Sequence, residues 1–222
     1  MAAGDEKQKW IQSFLKDGDA DRVRQAVSQA ESISMGEIVP MIVRRSSTIG
    51  HVPWMLTLIL IVALLVFEVP QQLFLERSHL SFVLSFGIAV IFYFLSYPMA
   101  KWVWIQRLLV PQGDQIFQVQ ERALLEFYET GIVHTQARTG ILLFLSLMER
   151  KAVVLADESI SKKLPKETWE KICQEMISGV ANGETASGLI KAIESCGEIL
   201  AQHFPPEVQN PNELNDQLII KE

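Results

Sequence analysis

The sequence predicts an α/β domain with a small mixed sheet, interrupted by a two-helix transmembrane hairpin. Three observations carry this. Helical and strand patterns alternate along the chain. Two uncharged apolar blocks, Val52–Phe67 and Leu80–Ala100, sit in the middle. One strand precedes the blocks and two follow, too few on either side to stand as separate domains.

Trp10, Ile11, Phe14 and Leu15 make one apolar stripe closed by Gly18. Asp19 is then placed to cap a helix whose apolar positions Val23, Ala26, Val27, Ala30 and Ile33 step by three and four. The run Gly36 to Val43 reads as a strand, and Pro40 would put it at a sheet edge or a bulge.

The two blocks follow. About 20 helical residues cross a hydrocarbon core of ~30 Å, so the second block is long enough. The first spans only by borrowing His51 or the Val69–Leu75 flank or by thinning the bilayer, and is otherwise re-entrant. Spans are expected at about residues 52–68 and 80–102. Trp54, Trp102 and Trp104 at the outer edges match an interfacial belt. Arg44, Arg45, Lys101 and Arg107 flank the blocks, whereas the Glu68–His79 connection offers Arg77 against Glu68 and Glu76. That asymmetry places both termini in the cytoplasm, on the cell (inner) membrane. The first ten residues, MAAGDEKQKW, lack the apolar core of a signal peptide. Cys173 and Cys196 would then sit where disulfides do not persist, each on the apolar stripe of a helix.

Beyond the hairpin, Pro111 to Asp114 break the chain, and a helix follows with Phe117, Leu124, Phe127 and Tyr128 on one face, ending at Gly131. Gly140 to Leu147 form a strand apolar on both faces, hence central. Met148-Glu149-Arg150 turn the chain, and Lys151 to Ala156 return antiparallel. Pro165 opens a helix carrying Trp169, Ile172, Cys173, Met176, Ile177 and Val180 at helical spacing. A second long helix, with Leu189, Ile193, Cys196 and Leu200, stops at Pro205-Pro206, and Leu218 to Ile220 offer a terminal edge strand. The boundaries are 1–45 and 107–222 for the two parts of the α/β domain and 46–106 for the hairpin.

Charge narrows the function. Residues 1–45 balance seven basic against seven acidic side chains, while residues 105–222 carry 11 against 17. An acidic surplus disfavours nucleic acid and anionic membrane faces. No HExxH, CxxC, Gly-rich phosphate loop or GxSxG occurs in the sequence. His134 lies in a loop without a nucleophile and orienting acid at recognised spacing, and His203 near an apolar face should be partly buried.

The stretches AESISMGEIVPMIV, ALLEFYETGIVHTQARTGILLFLSLMERKAVVLADESI, WEKICQEM and GLIKAIESCGEILAQHFPP resemble the TPM domain family. That family comprises thylakoid acid-phosphatase-like and photosystem-repair-like domains and a bacterial membrane-hairpin type. The resemblance implies a three-layer α/β/α sandwich with a small mixed sheet, and it implies calcium binding or phosphate-ester hydrolysis in some members. The common family form places an acidic residue and Asn before the glycine that opens the central strand. Here Arg138-Thr139-Gly140 stands in that place, and a cation where a carboxylate is usual weighs against metal binding and phosphatase activity.

Strand geometry singles out the same edge. Two antiparallel strands at 140–147 and 151–156 place Arg138 and Thr139 beside Asp157 and Glu158, and a first strand parallel to 140–147 would add Glu37. Glu37, Asp157 and Glu158 are the candidate metal ligands, for weak calcium or magnesium at most, with Arg138 and Thr139 beside them. The same residues also fit exposed ion pairs or a partner-docking surface. The expected function is a membrane-anchored, non-catalytic binding or scaffold module. Its partners would be the lipid bilayer and a membrane protein or its assembly machinery, with no nucleic acid. The alternative is a tethered divalent-metal-dependent acid phosphatase, and the sequence leaves enzymatic activity open.

Overall fold

Seven buried residues in a row, Glu37–Val43, form the strand β1 at the centre of a mixed sheet ordered β3-β2-β1-β4 in the computed structural model. The structure describes residues 10–47, 52–66, 79–100, 102, 111–165, 167–206 and 212–222. The elements in chain order are α1 (Asp19–Ser32), β1, α2 (Val52–Val66), α3 (His79–Met99), α4 (Gln112–Glu129), a 3-10 turn (Ile132–His134), β2 (Gly140–Ser146), β3 (Lys151–Ala156), α5 (Glu158–Lys163), α6 (Thr168–Ala181), α7 (Thr185–His203) and β4 (Ile219–Lys221). β1 runs parallel to β2, with Glu37 opposite Gly140 and Val43 opposite Ser146. β4 joins β1 in parallel at Met41–Val43, and β3 pairs antiparallel with β2.

The period-2 alternation of the strands feeds two apolar layers. Ile38, Ile42, Ile141, Leu143 and Leu145 face one side, against Val27 of α1, Ile172 and Met176 of α6 and Ile193 of α7. Val39, Met41, Leu142 and Phe144 face the other, against Val119, Ala123 and Phe127 of α4. Both faces of β2 are covered, which explains its unbroken apolar run. Each such side chain, once buried, contributes roughly 1.5–3 kcal/mol before entropy is counted.

Three local expectations change. Asp19 is the first residue of α1 rather than its cap: Gly18 holds the cap position at φ 85°, and the Asp19 carboxylate accepts the Lys16 N–H at 2.9 Å. Pro40 lies in a central strand, not at an edge or bulge. Glu37 donates its N–H to Thr139 on the β2 side. Alternation therefore turns the Pro40 nitrogen to the opposite side, where β4 begins only opposite Met41 and requires no donor from Pro40. On α4 the sheet-facing stripe is Val119, Ala123, Glu126 and Phe127, and the larger Phe117, Leu124 and Tyr128 are exposed. Val119, Ala123 and Phe127 of that stripe pack on the second apolar layer of the sheet.

The chain divides into two compact units, Met1–Ser46 with Ile116–Glu222, and Ser47–Gln115. In the second unit α2 and α3 pack together. The Thr57 and Ser96 hydroxyls lie 2.8 Å apart and the Trp54 and Tyr93 rings 4.9 Å between centroids. Among the described residues, no helix is long and apolar enough to cross a membrane. This overturns the expected two spans and, with them, the multi-pass assignment, the inner-membrane location and the cytoplasmic placement of both termini. The 15 residues of α2 reach only ~22 Å at the helical rise, short of a ~30 Å core. Side chains of α3 are described only from Gly87, and that stretch includes the buried hydroxyl of Ser96 and an internal Pro98. Arg77, Lys101, Trp104 and Arg107, on which the orientation argument drew, lie outside the described residues.

Candidate functional site

The antiparallel β2–β3 ladder sets Ile141 opposite Ala156, so the segments just outside it meet at one end of the sheet. The Asp157 N–H donates to the Gly140 carbonyl at 2.9 Å. Gly140 is required there: a Cβ would lie 2.4 Å from the Ile132 side chain and 2.9 Å from its carbonyl oxygen. The 3-10 turn thus presses directly on the start of β2.

Arg138 is fixed by four contacts. Its N–H donates to Thr135 at 3.1 Å, and its carbonyl accepts the Ser159 N–H at 3.2 Å. Nη1 donates to the Val133 carbonyl at 2.9 Å, and Nε lies 2.9 Å from Asp157 Oδ2. Its φ of 55° is left-handed, a conformation costly for a residue with a side chain and held here by these contacts. Asp157 is buried and caps α5, its Oδ1 accepting the Glu158 N–H at 2.7 Å. The Nε–Oδ2 approach is short but poorly aligned, leaving Oδ2 without a well-formed hydrogen bond. Glu158 is exposed and pairs with Lys162 at 2.7 Å; that hydrogen bond holds its carboxyl below the usual range. Thr139 is buried and donates to the Met35 carbonyl at 2.7 Å.

The structure therefore brings Arg138, Asp157 and Glu158 together, with Thr139 behind them. It does not bring Glu37 in. Glu37 stands opposite Gly140 in register, but its carboxylate accepts the N–H groups of Glu213 and Leu214 at 3.3 and 3.1 Å. Burial pushes its pKa up and those amides pull it back. Missed entirely by sequence reasoning were the wall of the cleft around Arg138 and the buried Glu31. The cleft, of about 420 Å³, is walled by Phe127 and Tyr128 of α4 and by Val133. A second stripe on α4, Leu124 and Tyr128 spaced by four, was the available signal. His203 is exposed rather than partly buried, and Cys196 is buried in the core.

A divalent cation does not fit this arrangement. Both Glu37 oxygens face amides, Asp157 faces an amide and a guanidinium, and Glu158 faces Lys162 and, at 3.9 Å, Arg138. Among the described residues no group of three or more His, Cys, Asp or Glu side chains is placed to hold a metal. The nearby hydroxyls are also committed, Ser159 to the Ala137 carbonyl and Ser161 to the Ala156 carbonyl.

A TPM domain is found at residues 101–199, which takes in α4 to most of α7 and leaves β1 and β4 outside. The fold is similar to that of the BA42 protein from the psychrophilic bacterium Bizionia argentinensis, solved by NMR. The TM-score is 0.57 and the identity 16%, over 95% of this chain and 97% of that one. No curated protein matches the chain.

Proposed function

We propose that the α/β domain is a non-catalytic protein-binding module whose recognition site is the cleft around Arg138. The observation that carries this reading is the guanidinium itself, held over buried Asp157 where a bound cation would otherwise neutralise the carboxylates. A fixed, half-exposed arginine in a cleft that aromatic rings also line is a recognition feature, because its planar donors are pre-positioned. Phosphate-ester hydrolysis needs an activated nucleophile or a metal-bound water. Here the hydroxyls beside Arg138 each donate to a backbone carbonyl. The test is direct. A photo-crosslinker placed at Tyr128 of the full chain should capture a protein partner that one at the exposed Lys191 does not, and Arg138→Ala should reduce the capture. Turnover of p-nitrophenyl phosphate that disappears in Asp157→Ala would overturn the reading in favour of an enzyme.

A further inference from the structure

β3 ends the sheet, and among the described residues no strand lies on its outer side. The alternation that sends the Asp157 N–H to β2 turns the backbone groups of Ala152, Val154 and Ala156 outward. Two of these are engaged: the Ala156 carbonyl accepts from Ser161 Oγ at 2.7 Å, and the Val154 N–H faces the Cys173 sulfur. Among the described residues the Ala152 N–H and carbonyl and the Val154 carbonyl have no partner.

A groove of about 870 Å³ runs along this edge between α4 and α6. Its apolar wall includes Leu124, Val153, Leu155 and Trp169. The charged side chains that line it are Glu121 and Glu170, on opposite helices, and both are exposed. Among the described residues neither has an ion-pair partner. The groove shares Leu124, Leu155, Ala156 and Ser161 with the Arg138 cleft, so the two are continuous.

We infer that β3 accepts an extended segment of a partner protein as a fifth strand, and that this segment carries Lys or Arg beside apolar residues on both of its faces. This deepens the binding-module reading and rests on it. Main-chain hydrogen bonds to Ala152 and Val154 give the register, the groove takes the apolar side chains, and Glu121 and Glu170 select basic ones. An unbulged edge without proline is the kind that pairs with another chain where it is left uncovered, as β3 is among the described residues at both backbone groups of Ala152 and at the Val154 carbonyl. A second copy of this chain fits less well, because a β3-to-β3 pairing brings Glu121 and Glu170 of both copies together.

The probe is an eight-residue fluorescent peptide of two Val-Val-Lys-Lys repeats, which puts Val and Lys on both faces of a strand, titrated against the full chain by anisotropy beside a Val/Glu peptide of the same pattern. Hydrogen exchange should slow in residues 151–156 on adding the Val/Lys peptide. Ala152→Pro removes one outward donor at an edge that tolerates proline, and should weaken binding by about tenfold with an unchanged melting transition. Glu121→Lys with Glu170→Lys should reverse the preference toward the Val/Glu peptide. Reversing exposed Glu194 and Glu198 adds the same net charge and should not. The inference is overturned by equal binding of both peptides, by no Val/Lys binding, by protection confined elsewhere, or by a folded Ala152→Pro chain that binds as before. Were Ala152→Pro to unfold, the two charge reversals alone decide. A chain that self-associates, and becomes monomeric on Ala152→Pro, would give the edge to a second copy and overturn the assigned occupant. Arg138→Ala separates the two sites: a cleft with no role leaves the peptide result standing, whereas phosphatase turnover defeats only the non-catalytic reading.

Discussion

The Glu31 carboxylate crosses from the end of α1 to the start of β1 and accepts the Ile38 N–H at 2.8 Å. It stands in for the strand that β4 is too short to supply there. Its other oxygen is buried without a partner, and burial raises its pKa from 4.5 to about 8, with smaller contributions from Glu37 and Asp216. The folded pKa lies above the unfolded one. Below pH 4.5 both states hold the proton and nothing is lost. Between 4.5 and about 8 the unfolded chain ionises first, so folding stability falls as pH rises. Glu31→Gln keeps an acceptor for Ile38 and cannot ionise. It should flatten this slope and gain up to about 4 kcal/mol at pH 8 relative to its effect at pH 4.5. Denaturant melts across that window check it, and parallel pH curves for the two proteins would refute it.

Glu37 holds the segment leading into β4 through the N–H groups of Glu213 and Leu214. Glu37→Ala leaves both donors unpaired and should cost about 2 kcal/mol. The loss is local to the strap, so hydrogen exchange in residues 212–221 should speed up more than in β2. Uniform acceleration would mean that Glu37 acts through the core instead.

The pairing of Arg138 with Asp157 should couple energetically. Arg138→Ala leaves a buried carboxylate facing no cation. Because the guanidinium is half exposed, the cost should be nearer 1–2 kcal/mol than the larger values of fully buried pairs. Asp157→Ala also removes a helix cap. A double-mutant cycle should give a coupling of about 1 kcal/mol. Additive single losses would show that the contact is incidental.

How much of this was legible depended on whether local pattern or tertiary pairing decided it. β1, β2, β3 and β4 were readable because apolar runs bounded by turn residues leave little alternative; the parallel pairing of β1 with β2, on which the placing of Glu37 depended, sets Glu37 opposite Gly140. Where Glu37 points was not readable, since its partners Glu213 and Leu214 are 176 and 177 residues away. The α4 face was misread because hydrophobicity favours Phe117 and Tyr128, whereas the face turned to the sheet carries Val119, Ala123 and Phe127. Glu126 adds to that face: it is buried and paired with Arg122 at 2.9 Å and with Lys221 of β4, a contact that no window around either residue reveals.

Close packing decides the crossing of α6 and α7. A Cβ on Gly179 would lie 2.7 Å from the Gly188 Cα, and the converse holds for Gly188. The contacted atoms are backbone and cannot rotate away, so the helices must separate. Gly179→Ala and Gly188→Ala should each cost about 2–3 kcal/mol, despite the better helix propensity of alanine. A melting temperature equal to or above that of the parent would show that the crossing yields without loss.

The two parts of the α/β unit should fold only together. β1 supplies the middle of the sheet, and it comes from before residue 47, whereas β2, β3 and β4 come from after residue 139. Without β1, the inner edge of β2 and all of β4 lose their ladder partner, and Ile38, Met41 and Ile42 leave both apolar layers. Without α1, the Gly197 position on α7, which now lies so close to Ala30 that a Cβ would sit 2.7 Å from its methyl, faces water. Residues 112–222 alone should therefore lack a cooperative melt. Replacing residues 48–110 with a slack Gly/Ser linker keeps α1 and β1 on the chain, at a loop-closure cost that grows only slowly with length. That chain should melt in one sharp transition. A cooperative, stable transition in the truncated 112–222 piece would mean that β2, β3 and the long helices suffice, and that β1 is an addition to the core rather than its centre.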